Sequence, residues 1–156
     1  MAFVIGLILQ IMIYNLTYNN PERWREIHAI CGEPLSLWEN LKIGGSGSPR
    51  LWVHSCPEPM QDILDETADR QICNIQIMSR GLIFRFRSRL EAYGIPIAWT
   101  NLESIEYVPL GNGADHILRF SFTTADENYS IEYLVRVSDR NKVGAFLKKA
   151  PFRAFL

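Results

Sequence analysis

Four arginines, Arg80, Arg85, Arg87 and Arg89, have the spacing in this chain that comes nearest to a ligand chemistry. A guanidinium group is a planar fork of N–H donors that matches carboxylate or phosphate oxygens two at a time. On an extended strand Arg85, Arg87 and Arg89 would share one face, about 6.8 Å apart, with Arg80 in the turn before them. Such a row suits an anionic lipid head group or a small anion. The competing arrangement is a solvated strand face whose arginines pair with Glu91, Glu103 or Glu106 and guard a sheet edge.

No other residues assemble into catalytic chemistry by spacing. His28, His54 and His116 fall in different predicted elements, and a histidine without a neighbouring base or ligand is more often structural. There is no G-x-S-x-G, no H-E-x-x-H and no dinucleotide fingerprint. Asp62, Asp65, Glu66 and Asp69 line one face of a predicted helix, but no second helix offers a matching Glu or His, so they read as a solvated face. Gly44-Gly-Ser-Gly-Ser-Pro49 lacks the Gly-Lys-Ser/Thr ending of a phosphate loop and reads as a flexible connection. Cys31, Cys56 and Cys73 contain no C-x-x-C pair, which indicates reduced thiols and neither a zinc site nor a disulfide framework. A net charge of -1 argues against nucleic acid as a partner. The expectation is a non-enzymatic protein with no metal and no cofactor.

Composition shifts at the N-terminus. Met1–Leu16 holds no charged side chain, and only Gly6, Gln10 and Asn15 interrupt its apolar run. As a helix, 16 to 18 such residues would span roughly 24–27 Å, slightly short of the ~30 Å hydrocarbon core. No Lys or Arg precedes the run and no small-x-small site follows it, so it does not resemble a signal peptide. Residues 1–18 are therefore expected to form a hydrophobic membrane-anchor helix, with a helix packed on protein as the alternative. Arg23 and Arg25 just beyond it would place the folded part on the cytoplasmic side of the membrane. An apolar helix left exposed in solution would drive self-association. Two sequons, Asn15-Leu-Thr17 and Asn128-Tyr-Ser130, matter only outside the cytoplasm.

The elements that would position the arginines follow from periodicity. Residues 19–71 read as an accessory region of helices and loops with one short strand, Arg50–Ser55. Asn20-Pro21 is an N-cap followed by proline, with Trp24, Ile27, His28 and Cys31 at helical spacing and Gly32 as the stop. Ser36-x-x-Glu39 and Ser55-x-x-Glu58 are capping-box patterns, the second opening a helix to about Ala68. From Ile72 the period changes to two. Leu82, Phe84 and Phe86 alternate with Ile83, Arg85 and Arg87 after a turn at Ser79-Arg-Gly81. Leu90–Tyr93 leads to Gly94 and Ile95-Pro-Ile-Ala-Trp99, where proline signals an edge or a strand start. Leu102, Ile105 and Val108 are spaced for a turn or short helical turn running into a strand. Ile117–Phe122 and Tyr129–Val137 alternate cleanly. Ser138 reads as the N-cap of a last helix with Val143, Phe146, Leu147 and Ala150 on one face, ahead of the apolar tail 151–156.

Residues 72–150, and above all Ile95-Pro96-Ile97 with Trp99, Leu102 and Ile105, resemble a bacterial pleckstrin-homology-like domain. That resemblance implies a mostly β, α+β fold: a partly open, seven-stranded antiparallel β-barrel capped by the C-terminal α-helix, here with extra N-terminal helices. Lipid-binding members carry a basic pattern around the first hairpin to which Arg80 and Arg85-Phe86-Arg87 are similar. The function so implied is a membrane-tethered module for protein interaction or scaffolding with an unknown protein partner, or alternatively one that binds an anionic lipid head group or small anion.

Overall fold

The computed structural model describes residues 11–64, 72–111 and 113–156. Eight strands form one antiparallel sheet: β1 (Tyr14–Asn15), β2 (Leu51–Ser55), β3 (Ile72–Ile77), β4 (Gly81–Ser88), β5 (Glu91–Ala98), β6 (Leu102–Leu110), β7 (Asp115–Thr124) and β8 (Glu127–Val135). Their spatial order is β1-β5-β4-β3-β2-β8-β7-β6. Two meanders, β2 to β5 and β6 to β8, are thus joined through the β2–β8 pair, and β1 adds to the far side of β5. The sheet is not closed, and with four α-helices among the described residues the fold is α+β.

Alternation decides which face is buried. Leu82, Phe84 and Phe86 of β4 point inward with Ile75, Ile95, Phe120, Phe122 and Tyr133, all of them buried in the main core. Phe84 stacks on Phe122 with centroids 5.7 Å apart, so strands distant in the sheet order face each other across a strongly curled sheet. The β3–β4 hairpin turns at Met78–Arg80, where Met78 N–H donates to the Gly81 carbonyl at 2.8 Å. A Cβ at Gly81 would stand 2.1 Å from the Ile97 carbonyl oxygen and 2.9 Å from Cys31 Cβ, so only glycine lets β4, β5 and the N-terminal helix that carries Cys31 meet here.

That helix, α1 (Pro21–Cys31), is capped by Asn20, whose side chain accepts from Glu22 N–H and Arg23 N–H, and it stops at Gly32 with φ +81°. It lies on the outer face of the sheet, where Ile27 and Cys31 form a second buried cluster with Tyr14, Met78 and Ile83. Three further helices are α2 (Leu37–Ile43), α3 (Glu58–Leu64) and α4 (Arg140–Leu147). Helix α4 buries Val143, Phe146 and Leu147 in the main core. The apolar tail folds back: Phe152 is fully buried, and Phe155 stacks on Trp99 at 5.8 Å.

The structure corrects several sequence expectations. Among the described residues no helix is long and apolar enough to cross a membrane. The C-terminal part of the supposed anchor, Ile11–Leu16, belongs to the fold: Ile11 and Tyr14 are buried, and Tyr14–Asn15 pairs with β5 as a strand. Met1–Gln10 lies outside the described residues. Leu102–Leu110 is strand throughout, after one 3-10 turn at Trp99–Asn101. A register shift between Leu102 and Ser104 inserts one residue, which puts Leu102 and Ile105 on the same buried face and explains their three-residue spacing. Ser55 is the last residue of β2, and α3 begins only at Glu58, three residues on; its continuation past Leu64 lies outside the described residues. Before α4 a 3-10 turn occupies Val137–Asp139, so Ser138 is not the N-cap. Glycine content does not make 44–49 a free linker either: Ile77 N–H donates to Ser46 O and Ser48 N–H to Ile75 O, both at 2.8 Å, which lays the loop along β3.

Candidate functional site

The strand that carries the arginines also separates them. Arg80 sits in the turn before β4 and Arg89, with φ +56°, in the turn after it, the length of the strand apart, about 27 Å. Arg80 is tied to α1, its Nη2 donating to the His28 carbonyl at 3.0 Å. Only Arg85 and Arg87 share the outer face as adjacent alternate residues, beside Gly94 and Ala92 of β5. Arg85 is half-buried and donates to Gln76 Oε1 at 2.8 Å, while Arg87 is exposed. Burial, and then the charge of Arg87, push the guanidinium pKa of Arg85 downward. The acids nominated as partners are engaged elsewhere. Glu106 and Glu132 bind Arg119 at 3.3 and 3.1 Å, Glu91 accepts from Tyr93 and Asn15, and Glu103 accepts from Thr123.

Other titratable residues stay dispersed. His28 is on α1, His54 on β2 and His116 on β7, where its ring lies 4.9 Å from Tyr107. Among the described residues no group of three or more His, Cys, Asp or Glu side chains stands close enough to hold a metal ion. Asp65, Glu66 and Asp69 lie outside the described residues, and Asp62 is exposed. Cys31 and Cys73 are buried thiols, and Cys56, which donates to Gln61 Oε1, is partly exposed. Burial pushes the Cys31 thiol up to about 11, and the Cys73 thiol is raised further for the same reason.

The most unusual surface belongs to α2. Ser36 and Glu39 form a complete capping box, with Ser36 Oγ accepting from Glu39 N–H and Glu39 Oε1 from Ser36 N–H. That pairing, the backbone hydrogen bond first, holds the Glu39 carboxyl below its ordinary pKa. At the other end Gly44 takes the left-handed conformation of a helix stop, and Lys149 Nζ donates to Ile43 O at 2.8 Å and Gly45 O at 2.6 Å. The helix is therefore fixed at both ends, yet none of its residues is buried. Leu37, Trp38 and Leu41 are 79%, 66% and 67% exposed. Lys42 Nζ lies 5.6 Å from the centre of the Trp38 ring. A cleft lined by Ile43, Gly47, Pro49, Lys142, Phe146 and Lys149 runs between this helix and α4.

The capping-box pattern Ser36-x-x-Glu39 marks α2 in the sequence as a short turn, without assigning Leu37, Trp38 and Leu41 to a buried or an exposed face. Ile43 lies on the opposite side of the helix, so the sequence offers apolar residues on both sides and does not say which side is covered. Neither a protein-family model nor a curated protein sequence matches this chain.

Proposed function

We propose that this chain is a non-enzymatic binding module on a pleckstrin-homology-like scaffold, and that α2 is the element it offers to a partner. The scaffold reading is supported by connectivity: strands β2 to β8 form two successive antiparallel meanders joined at one seam, followed by a helix that packs into the core.

The observation that carries the binding reading is the exposure of Leu37, Trp38 and Leu41 on a helix held in place without them. A seven-residue helix is too short to persist on its own propensity, so its caps and Lys149 set its orientation. Apolar side chains held rigidly outward are the usual mark of an interaction surface.

The triple variant Leu37→Ser, Trp38→Ser, Leu41→Ser tests this reading. Its melting temperature is expected within about 2 °C of the parent, because exposed positions contribute little to folding. Its binding of a hydrophobic dye in native buffer is expected to fall. A melting temperature lower by several degrees would mean that the fold itself needs this face, and would overturn the reading.

A further inference from the structure

We propose that the open edge of β6 takes an extended segment of a partner protein carrying an aromatic residue, and that the chain's own tail, 153–156, holds this edge until the partner displaces it. This edge is separate from α2. β6 is the last strand in the sheet order, with β7 on one side only. Ile105 N–H points away from β7, because it donates to the Phe155 carbonyl at 3.0 Å. Backbone groups alternate along a strand, so the N–H and C=O of Tyr107 and the C=O of Pro109 face the same way. Pro109 fits that parity, since it has no N–H to give to His116 across the pair. Among the described residues nothing bonds to the Tyr107 N–H or C=O. Residues 105–109 thus offer a row of main-chain groups about 13 Å long, of which the tail engages the Ile105 N–H.

The tail displays the chemistry that the edge accepts. Phe155 gives its carbonyl to Ile105 and lays its ring on Trp99, with centroids 5.8 Å apart. Phe152 forms the inner wall of that slot, edge-on to Trp99 at 5.9 Å. Phe152 is fully buried, whereas Arg153 and Ala154 are exposed and Leu156 is 61% exposed. Release of 153–156 therefore leaves the core in place and uncovers an aromatic slot beside unpaired main-chain donors and acceptors. Main-chain pairing with a pocket for one side chain is how a sheet edge takes an extended peptide. Among the described residues one hydrogen bond, Ile105 N–H to Phe155 O, ties the tail to β6, so it opens more readily than the sheet itself.

The probe is a fluorescein-labelled peptide, Thr-Thr-Arg-Ala-Phe-Leu-Thr-Thr, which is the tail sequence with a strand-forming pair at each end. Its binding is read by anisotropy against the full chain and the full-length Phe155→Ala variant, in which the tail no longer fills the slot. Phe155→Ala is expected to bind the probe at least about tenfold more tightly than the parent, whose site is open for only a fraction of the time. The same peptide with alanine in place of phenylalanine is expected to bind neither protein. No binding by Phe155→Ala, equal binding by parent and variant, or equal binding of the alanine peptide would each overturn the proposal. A parent dimer that Phe155→Ala abolishes, without peptide binding, would give the edge to a second copy's tail and overturn the partner. Amide exchange in the parent tests the proposal with no variant at all. Ile105 is expected to exchange at least about tenfold faster than Phe120, which lies between two paired strands. Exchange of Ile105 only through global unfolding would mean that the tail never releases, and would overturn the proposal.

Discussion

The ring of Phe84 meets the ring of Phe120 edge to face, with centroids 5.2 Å apart, although three strands separate β4 from β7 in the sheet. The contact exists because the sheet curls until its inner face closes on itself. Phe84 also touches Phe122 and Tyr133, which makes it the common neighbour of both meanders. Phe84→Ala is expected to cost about 3–5 kcal/mol, the transfer loss of the ring plus the cavity it leaves. Urea denaturation would measure this, and a cost below about 1 kcal/mol would contradict the central place of Phe84.

Two glycines test opposite ends of one argument. Gly81→Ala drives a methyl into the Ile97 carbonyl and the Ala98 Cα, both backbone atoms that cannot swing aside. The expected cost is about 1–3 kcal/mol or more. Gly144, inside α4, has open space where a Cβ would go. There alanine is expected to stabilise by about 0.5–1 kcal/mol through the unfolded chain and helix propensity. Thermal melts of the two variants should move in opposite directions.

Lys149→Met removes both hydrogen bonds that Lys149, just beyond α4, makes to Ile43 O and Gly45 O at the end of α2, while keeping an apolar stem. A cost of about 1–3 kcal/mol is expected for bonds made by a charged donor. Faster amide exchange confined to residues 37–45 would place that loss at α2, whereas unaltered exchange there would show that the caps suffice.

Stability should fall in alkali. Cys31 is raised by burial from 9.0 to about 11, so between those values the folded state holds a proton that the unfolded chain releases. The contribution is fully present below pH 9 and is lost as pH rises toward 11. Denaturant midpoints are expected to be level up to about pH 8 and then to decline. Cys31→Ala should reduce that decline. In native protein Cys56, partly exposed, is expected to react with a thiol reagent well ahead of the buried Cys31 and Cys73.

Much of the sheet was legible in the sequence, and the exceptions have identifiable causes. Leu82, Phe84, Phe86 and Leu118, Phe120, Phe122 alternate without interruption, and each series lies in a strand with a buried inner face. Asn20 and Ser36 announced α1 and α2 because a cap is a local bond that needs no tertiary partner. Ile11–Leu16 misled because an unbroken apolar run has no period of its own, so a buried extended segment and a helix look alike. The spacing of Leu102 and Ile105 misled because a bulge imitates part of a helical step. For the site, four arginines on one strand suggested one surface, but strand length sends Arg80 and Arg89 to opposite ends. The outward face of α2 was not legible, since exposure depends on what packs nearby and not on residue type.

The seam between β2 and β8 has a consequence for synthesis. Trp52 stands opposite Leu134 in the register, about eighty residues later in the chain. On the ribosome β2 therefore emerges long before one of its two partners exists. Pairing with β3 can cover one edge early, but the other edge must wait for the last strand. The nascent chain thus carries an open β-edge through about half of its translation, and loss of β8 would leave that edge as a site for pairing with other chains.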